Sequence, residues 1–483
     1  MEAVAHMVDA GSFKPVDDEL TTADPLSWPG YREAMASARE RSGTDESVRC
    51  GPASIKGHDV ELAAFDFSFF GGSMGEVAGE RIARGLERAA SRGVPFVLRT
   101  VTGGARMQEG MRSLAQMPKM IGARIEFAAS RLPFIAVIGH PTTGGVFASI
   151  TSLADVTLAE EGATVGFAGP RLVERFTGRP LAGSHTAETA LAAGLVDAVV
   201  PSESLRATLG HLLDVLAPDN SEALDEPDLI APSRSDAWPA VARARAEDRP
   251  LGPDLLRDML DSHAVLKGDR TGREDPSVEC ALGRLAGRRV LAIALDRRMH
   301  PGPSAYRKAR RCVEFAGRIG IPVVALIDTP GANPSEASEN AGIASEIAQQ
   351  LEAMLRAPVP VVAVVTGEGN SGGALAFGAA DVLLAYEGSI FSVIAPESAA
   401  LILWRDAERA PEAAGLIKLT APDLVGLGIA HGVLPDPPGA ESLRRAVAYH
   451  LDRLSGASSS GAALAANRRS RWRKLHGTRE THA

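Results

Sequence analysis

Four short glycine-rich segments are the residues of this sequence best suited to chemistry. Each directly follows a short apolar run, and they comprise residues 103–105, 144–145, 331–332 and 372–373. Glycine permits positive φ and lets a ligand approach the backbone closely. Free N–H groups beyond such a turn, at the start of a helix, can hold negative charge. Two such turns side by side would form an oxyanion hole for an enolate, with donors about 3 Å from its oxygen.

Other readings of these residues stay open. A single glycine-rich turn can exist only for tight packing. His140 and His300 lie near the turns and could act as acid–base residues, although a structural histidine is the more common case. The sequence has no HExxH or P-loop motif, and the segment 71–75 resembles a dinucleotide loop only superficially. The residues therefore favour chemistry by backbone N–H groups over a side-chain catalytic set.

Alternating strands and helices would position these turns. Short β-branched runs predict buried strands, and apolar residues at helical spacing predict the helices between them. This order is typical of an α/β fold with a largely parallel sheet. The predicted strands are 94–102, 134–138, 321–327 and 359–365, and the main predicted helices are 107–128 and 343–356.

The second half of the chain repeats the order of the first. Four pairs of landmarks lie 226–228 positions apart, which predicts two homologous domains rather than a short-period solenoid. We expect domains at 1–216 and 238–483, joined by a linker at 217–237 rich in Pro, Ser, Asp and Glu. The basic segment 467–476 is interpreted as the solvated face of a terminal helix. The landmark pairs are Gly104 and Gly331, Gly145 and Gly373, Asp155 and Asp381, and Pro170 and Pro396.

Composition excludes several classes of function. The chain of 483 residues has a net charge of −9, which argues against nucleic acid as the main partner. The absence of a long apolar run predicts that the chain does not span a membrane, and the lack of a signal peptide predicts a cytoplasmic protein. The sequence has three cysteines and no CxxC pair, so we expect no zinc ribbon and no other metal site.

Long segments of the sequence resemble the carboxyltransferase of bacterial acetyl-CoA carboxylase. The first half resembles its beta subunit and the second half its alpha subunit, as if the two were fused. The resemblance implies a crotonase-like ββα spiral present twice. The beta-like segments are 24–43, 65–89, 102–119 and 140–171, and the alpha-like segments are 306–311, 321–334, 367–384 and 392–414.

The resemblance implies transfer of a carboxyl group from carboxybiotin to the α-carbon of an acyl-CoA, most readily acetyl-CoA giving malonyl-CoA. Carried over residue by residue, Gly103 and Gly104 would hold the thioester oxygen, and Gly331 and Ala332 the biotin oxygen. The implied substrate-binding residues around them are Gly71, Gly72, Arg106, Gly144, Gly145, Gly372 and Gly373.

The resemblance also implies partners. The chain carries neither a Met-Lys-Met biotinylation motif nor an ATP-grasp domain, so biotin carboxyl carrier protein and biotin carboxylase would be separate chains. The family's shared active site implies a homodimer or a larger homo-oligomer.

The sequence departs from the family pattern mainly on the alpha-like side. These departures are Asn333, Ser335, Asn370 and the shortened segment 296–305, while the beta subunit's zinc ribbon is missing. They favour one alternative, a biotin-independent malonyl-thioester decarboxylase of the same superfamily. A non-catalytic assembly subunit is the other alternative.

Overall fold

The computed structural model describes residues 2–16, 20–22, 24–181, 183–221, 224–232, 236–457 and 460–475. The chain forms two compact units. The amino-terminal unit comprises Met1–Asp214 together with Arg270–Arg273, and the carboxyl-terminal unit comprises Val215–Asp269 and Glu274–Ala483. Within the amino-terminal unit, the Arg270 N–H donates to the Gly194 carbonyl (3.1 Å), and its guanidinium pairs with Asp197.

The predicted linker falls in the carboxyl-terminal unit. Its residues 222–223 and 233–235 lie outside the described residues. Asn220 donates its N–H to the Gly287 carbonyl (3.2 Å), and Ile230 forms an isolated bridge with Val433. The described part of this segment therefore lies against the unit that follows it.

The amino-terminal unit is built on one seven-stranded sheet with the order β1-β2-β3-β4-β5-β7, and β6 also pairs with β4. β1 and β2 are antiparallel, and the other pairs are parallel. Its strands are β1 (Val48–Ile55), β2 (His58–Phe65), β3 (Phe96–Thr102), β4 (Phe134–Thr143), β5 (Val156–Glu160), β6 (Val165–Gly166) and β7 (Ala198–Val200). The helices wholly or mostly in this unit are α1 (Glu2–Ala5), α2 (Tyr31–Ser42), α3 (Glu76–Arg92), α4 (Met111–Leu114), α5 (Gln116–Ala129), α6 (Gly144–Phe147), α7 (Pro170–Thr177), α8 (Ala187–Ala192) and α9 (Leu205–Leu216).

The carboxyl-terminal unit repeats this sheet and adds one edge strand. The order is β15-β13-β12-β11-β10-β9-β8, and β14 pairs with β12. Its strands are β8 (Ser262–Leu266), β9 (Val278–Leu285), β10 (Arg288–Leu295), β11 (Val323–Thr329), β12 (Val361–Asn370), β13 (Val382–Tyr386), β14 (Ile390–Ser392) and β15 (Gly432–Leu434). Its helices are α10 (Ala237–Ala244), α11 (Gly252–Met259), α12 (Pro303–Ile319), α13 (Glu336–Asn340), α14 (Ile343–Arg356), α15 (Ser371–Gly378), α16 (Pro396–Trp404), α17 (Ala410–Ile417), α18 (Ala421–Gly426), α19 (Ala440–Ala457) and α20 (Gly461–Arg473).

The internal register confirms the duplication predicted from the sequence. β3 and β4 are last paired at Thr102 and Thr142, after a local register shift. β11 and β12 are last paired at Thr329 and Gly369, after the same shift. These pairs lie 227 positions apart, so Gly145 corresponds to Gly372. The predicted alignment of Gly145 with Gly373 was therefore wrong by one residue.

Aspartates mark equivalent points in both units. Asp155 accepts the Phe134 N–H, and Asp381 accepts the Val361 N–H, each at 2.8 Å. Each carboxylate thus caps the start of a central strand, where the backbone N–H would otherwise lose a partner. This is the physical reason that the Asp155–Asp381 spacing is visible in the sequence.

Each sheet also contains an antiparallel hairpin that the sequence did not predict, β1–β2 and β9–β10. Their two-residue turns hold Lys56 (φ 51) with Gly57 (φ 83), and Ala286 (φ 48) with Gly287 (φ 74). Two positive φ values in succession match the twist of the flanking strands. Such turns usually have Asn or Asp before the glycine. The Lys-Gly and Ala-Gly pairs lack this signature, so the sequence did not indicate the hairpins.

The terminal helix differs from its predicted solvated face. α20 forms and exposes Arg469 and Arg473, but Arg468 is 1% exposed. Its guanidinium pairs with Asp381 (2.6 Å) and donates to backbone carbonyls, including that of Val359 (2.6 Å). The helix is therefore held against the sheet by one buried cation. His476, the last residue of that predicted segment, lies outside the described residues.

Candidate active site

The first glycine turn follows the end of β3. Gly103 donates its N–H to the Gly71 carbonyl (3.0 Å), and Gly104 donates its N–H to the Thr102 hydroxyl (2.9 Å). Gly104 has φ +107, a value that an L side chain rarely adopts. The turn is therefore tied to its own strand and to a neighbouring loop.

The second turn of the amino-terminal unit lies against the first. Gly144 has φ +71 and donates its N–H to the Phe167 carbonyl (2.8 Å). A Cβ added to Gly104 would lie 3.3 Å from the Gly144 Cα and 3.6 Å from the Gly145 nitrogen. The structure thus brings Gly104, Gly144 and Gly145 together, and larger residues would separate the two turns.

The carboxyl-terminal unit contains the same pair of turns. Gly331 has φ +116, and its N–H donates to the Thr329 hydroxyl (3.2 Å). A Cβ on Gly373 would lie 2.9 Å from the Ala332 nitrogen. Ser371, which corresponds to Gly144, also adopts a positive φ of 66°. The second set of predicted residues is therefore adjacent as well.

The hydrogen bonds distinguish which N–H groups can meet a ligand. The internal register pairs Gly104 with Gly331 and Ala105 with Ala332. The hydrogen bonds among the described residues include none donated by the N–H of either alanine. The Gly103 N–H would have to leave the Gly71 carbonyl before it could face a substrate oxygen. Sequence reasoning missed Ala105, which the 227-residue spacing applied to Ala332 would have found.

Gly71 and Gly72 lie behind the first turn. Both have positive φ, at 63° and 62°. A Cβ on Gly72 would collide with the Val101 carbonyl, so this loop packs directly against β3. The Phe67 ring lies 3.9 Å from the position of a Cβ on Gly71. In this structure both glycines allow the loop to approach and support the turn.

Arg106 belongs to a buried network. Its side chain is 0% exposed and pairs with Glu46 and with Glu109 (3.0 Å), whose carboxylate also accepts the Tyr31 hydroxyl (2.6 Å). Burial opposes ionisation of Glu46, but Arg106 more than offsets it and holds the pKa of Glu46 below its usual value. Arg106 also donates to the Ser73 carbonyl (2.8 Å). The guanidinium is thus saturated by protein acceptors and positions the loop that follows the turn.

A different charged group supports the turn of the carboxyl-terminal unit. Asp328, in β11, accepts the Arg297 guanidinium and the Glu368 N–H, both at 2.9 Å. Burial raises the pKa of Asp328 to about 6, although Arg297 opposes the shift. Glu368 in turn pairs with Arg245 (2.6 Å). Asp328 and Glu368 lie within β11 and β12, whereas Arg297 follows β10 and Arg245 follows α10.

Two histidines near the turns have structural contacts. The His140 Nδ1 accepts the Thr164 N–H (3.2 Å), which requires this nitrogen to be unprotonated. The His300 Nδ1 lies 3.0 Å from the Gly331 carbonyl. Each ring therefore contacts a backbone group, which agrees with the interpretation of both histidines as structural residues.

Tyr306 is a further residue of this site that sequence reasoning missed. Its ring is fully buried, and its hydroxyl has no hydrogen-bond partner among the described residues. A Cβ on Gly373 would lie 2.7 Å from that hydroxyl. Burial raises the pKa of Tyr306, so the hydroxyl stays protonated beside the second pair of turns.

An apolar cavity of about 340 Å³ opens beside the start of α15. Ser371 and Gly372 form one side of it, and Trp472 of α20 contributes to another. This volume lies in the range of small-ligand pockets. The remaining lining residues are Leu375, Phe391, Ser392, Val393, Ile417, Lys418, Leu424, Leu427 and Ile429.

Two kinds of structural feature are absent from the described residues. No cluster of three His, Cys, Asp or Glu side chains among them could hold a metal ion. No helix in the same part of the chain is long and apolar enough to cross a membrane.

The chain is similar in sequence to known carboxyltransferases. The family described as acetyl co-enzyme A carboxylase carboxyltransferase-like matches residues 232–475. The acetyl-coenzyme A carboxylase carboxyl transferase subunits beta/alpha of Salinispora arenicola are 41% identical over 99% of this chain and 90% of their own length. The corresponding protein of Salinispora tropica is 40% identical over 98% of this chain and 89% of its length.

The fold is that of solved carboxyltransferases, which confirms the expected crotonase-like architecture. Transcarboxylase 12S, a hexamer solved with methylmalonyl-coenzyme A and methylmalonic acid bound, superposes with a TM-score of 0.79 at 24% identity, covering 94% of this chain and 89% of that one. The chain belongs to the family of biotin-dependent acyl-CoA carboxylase carboxyltransferases whose beta and alpha subunits are joined in one polypeptide.

Proposed function

We propose that this protein transfers the carboxyl group of carboxybiotin to the α-carbon of acetyl-CoA and so produces malonyl-CoA. The observation that carries the proposal is the occurrence of the same pair of glycine turns, at corresponding positions, in both units. A carboxyl transfer between two carbonyl compounds passes through two anions, and each anion needs its own set of fixed donors. The names of the relatives from both Salinispora species support acetyl-CoA as the acyl substrate.

The amino-terminal turns would hold the thioester oxygen. We assign this role to the segment Gly103–Ala105 with Gly144 and Gly145, with the Ala105 N–H as the donor that needs no rearrangement. These N–H groups would stabilise the enolate that forms when the α-proton leaves, because they act where negative charge develops. Gly71, Gly72 and Arg106 would keep the turn in place.

The carboxyl-terminal turns would hold the ureido oxygen of biotin. When bound, carboxybiotin would supply the carboxyl carbon, and its ureido nitrogen could accept the α-proton once the bond to that carbon has broken. The unpaired Ala332 N–H, the neighbouring Gly331, and the apolar cavity beside Gly372 suit a small bicyclic ring with one charged oxygen. Gly373 would let the α15 turn lie close to Ala332. Biotin would arrive on a separate carrier protein, after carboxylation by a separate biotin carboxylase.

Two apolar surfaces favour a homodimer or a larger homo-oligomer. Phe176 on α7 is 91% exposed, and Leu172 on the same helix is 62% exposed. The corresponding helix of the carboxyl-terminal unit, α16, exposes Ile402 (72%) and Leu403 (58%). Exposed apolar side chains on corresponding helices of both units are typical of surfaces that another protein covers, and a second copy of this chain would cover both.

One assay tests the reaction. Purified protein is mixed with malonyl-CoA, with and without free biotin, and carbon dioxide and acetyl-CoA are followed. We expect carboxyl loss from malonyl-CoA to depend on biotin. Equal rates without biotin would replace the proposal with a decarboxylase, and a folded protein without activity in either case would indicate an assembly subunit. Sedimentation at micromolar concentration tests the oligomer, and a stable, active monomer would contradict it.

A further inference from the structure

Thr143 and Asn370 occupy the same position in the two units, and both lack the contact that their residue types usually make there. Thr143 directly precedes α6, and Asn370 directly precedes α15. Thr and Asn at this position commonly accept an N–H from the first turn of the helix. Neither side chain does so here.

Both side chains reach the other turn of the unit instead. The Thr143 hydroxyl donates to the Thr102 carbonyl (3.4 Å), and the Asn370 amide lies 3.5 Å from the Pro330 carbonyl. Asparagine is the longer side chain and reaches one residue further along the equivalent segment. Both residues are buried, at 8% and 2% exposure, so water does not compete freely for these contacts.

The position of these contacts in the sheet gives them their effect. The last paired residues between the two central strands are Thr102 with Thr142, and Thr329 with Gly369. Beyond this point no ladder hydrogen bond holds the two chain segments together, yet both turns begin here. A side-chain contact one residue later therefore limits the distance between the two turns.

We propose that Thr143 and Asn370 are positioning residues that fix the spacing of the paired turns and whose side chains leave the N–H groups of the following helical turn without a side-chain cap. The proposal rests on the proposed function where it concerns catalysis. A displacement of about 1 Å in such a site can reduce the rate about 10²-fold. Asn370 has an additional anchor, because its amide donates to the Glu368 carboxylate (2.6 Å). Loss of the Thr143 contact should therefore loosen its unit more than loss of the Asn370 contact.

The test compares Thr143→Val and Asn370→Ala with Thr143→Ser, which keeps the hydroxyl. Thr151→Val is the matched control, since the Thr151 hydroxyl is buried and has no partner among the described residues. We expect kcat for biotin-dependent carboxyl transfer to fall about tenfold in Thr143→Val, less in Asn370→Ala, and to recover in Thr143→Ser. The affinity for CoA without an acyl group, and the melting temperature, should change little.

A second measurement does not depend on activity. Hydrogen–deuterium exchange of peptides covering residues 103–106 and 143–147 should be faster in Thr143→Val than in the unchanged protein, and unaltered in Thr151→Val. Unchanged exchange and kcat in folded Thr143→Val would overturn the proposal. A kcat loss matched by an equal loss of folded protein would do the same. Faster exchange in a chain whose unchanged form has no transferase activity would refute the proposed function and retain the positioning role.

Discussion

The two units repeat the backbone of their turns but not the charges that support them. In the amino-terminal unit, Val101 precedes the turn and the buried Arg106 follows it. In the carboxyl-terminal unit, Asp328 takes the place of Val101, and Asn333 takes the place of Arg106. The uncharged Asn333 side chain accepts the N–H of Ser335 (3.0 Å). The charged support thus lies beyond the turn in one unit and inside the strand in the other.

This difference separates what the chemistry requires from what stability requires. Positive φ at Gly104 and Gly331, and the close approach of the neighbouring turn, occur in both units. A buried ion pair can be relocated, because its net contribution depends on the whole set of partners around it. The shared backbone should therefore govern activity, and the unshared charges should give the units different responses to mutation and pH.

The largest effect should come from the shared backbone. Gly104→Val places a side chain at φ +107 and within 3.3 Å of the Gly144 Cα. We expect the side chain to separate the paired turns and kcat to fall about 10²–10³-fold, a loss comparable to that of one oxyanion donor. Gly331→Val, at φ +116, should have a similar effect. Gly162→Val is the control for backbone strain, with φ +68 and open space around it. Wild-type turnover in folded Gly104→Val would remove this turn from the site.

The second-largest effect should be a loss of folding stability that is confined to the amino-terminal unit. Arg106→Met leaves Glu46 and Glu109 buried without their cation, which typically costs about 3–5 kcal/mol. Arg112→Met is the control, because its pair with Glu76 is exposed and such pairs contribute about 0–1 kcal/mol. Denaturant unfolding, monitored for each unit, measures the stability loss of both variants. Equal midpoints for the two variants would show that the Arg106 network contributes nothing.

The two units should also respond to acid in opposite directions. Because burial raises the pKa of Asp328 to about 6, the folded chain binds a proton that the unfolded chain releases. Its contribution to stability is present below about pH 4 and is lost as the pH rises through 6. The stability of the unchanged protein relative to Asp328→Asn should therefore fall by up to about 1.4 kcal/mol per pH unit across this range.

Glu46 should give the reverse trend, because its pKa is lowered in the folded chain. Its contribution is present above the pKa of the unfolded chain and is lost as the pH falls through the folded value. The stability of the unchanged protein relative to Glu46→Gln should therefore rise with pH. Chemical denaturation tests Asp328→Asn between about pH 4 and 7 and Glu46→Gln below about pH 5, and slopes of the same sign would refute the contrast.

The smallest effect should follow the loss of a histidine that lies near a turn. His140→Ala removes the acceptor of the Thr164 N–H, which is a backbone group outside the paired turns. We expect kcat to stay within about tenfold, below the 10²–10⁴ that an essential base contributes. Steady-state kinetics decides the matter. A thousandfold loss in folded His140→Ala would make this residue a catalyst.

The sequence predicted what local pattern and repetition can encode. The duplication, the α/β order and the paired turns were recoverable, and α14 has the predicted bounds, Ile343–Arg356. Strand ends were less accurate, since β4 continues from the predicted Ile138 to Thr143. Gly145 was aligned with the wrong glycine because the pair Gly144-Gly145 and the pair Gly372-Gly373 differ by one position in the structural register.

The long-range contacts could not be predicted from local pattern. The Arg106 partner Glu46 is distant in sequence and becomes a neighbour only in the folded unit, and substrate binding by Arg106 stays a prediction. The hydrogen bond from the Gly103 N–H to the Gly71 carbonyl could not be predicted for the same reason, since the two residues belong to different loops. Such contacts depend on which loops the fold brings to the end of a strand, and no periodicity records that.

The aspartates that cap the central strands have an evolutionary consequence. Asp155 is accompanied by Arg124 of α5 at 3.7 Å, whereas Asp381 pairs with Arg468 of α20 at 2.6 Å. After duplication the same acidic position thus obtained its cation from different parts of the chain. Homologous sequences should show Asp381 and Arg468 changing together, with α20 retained wherever both persist. Positions 155 and 468 should vary independently of each other.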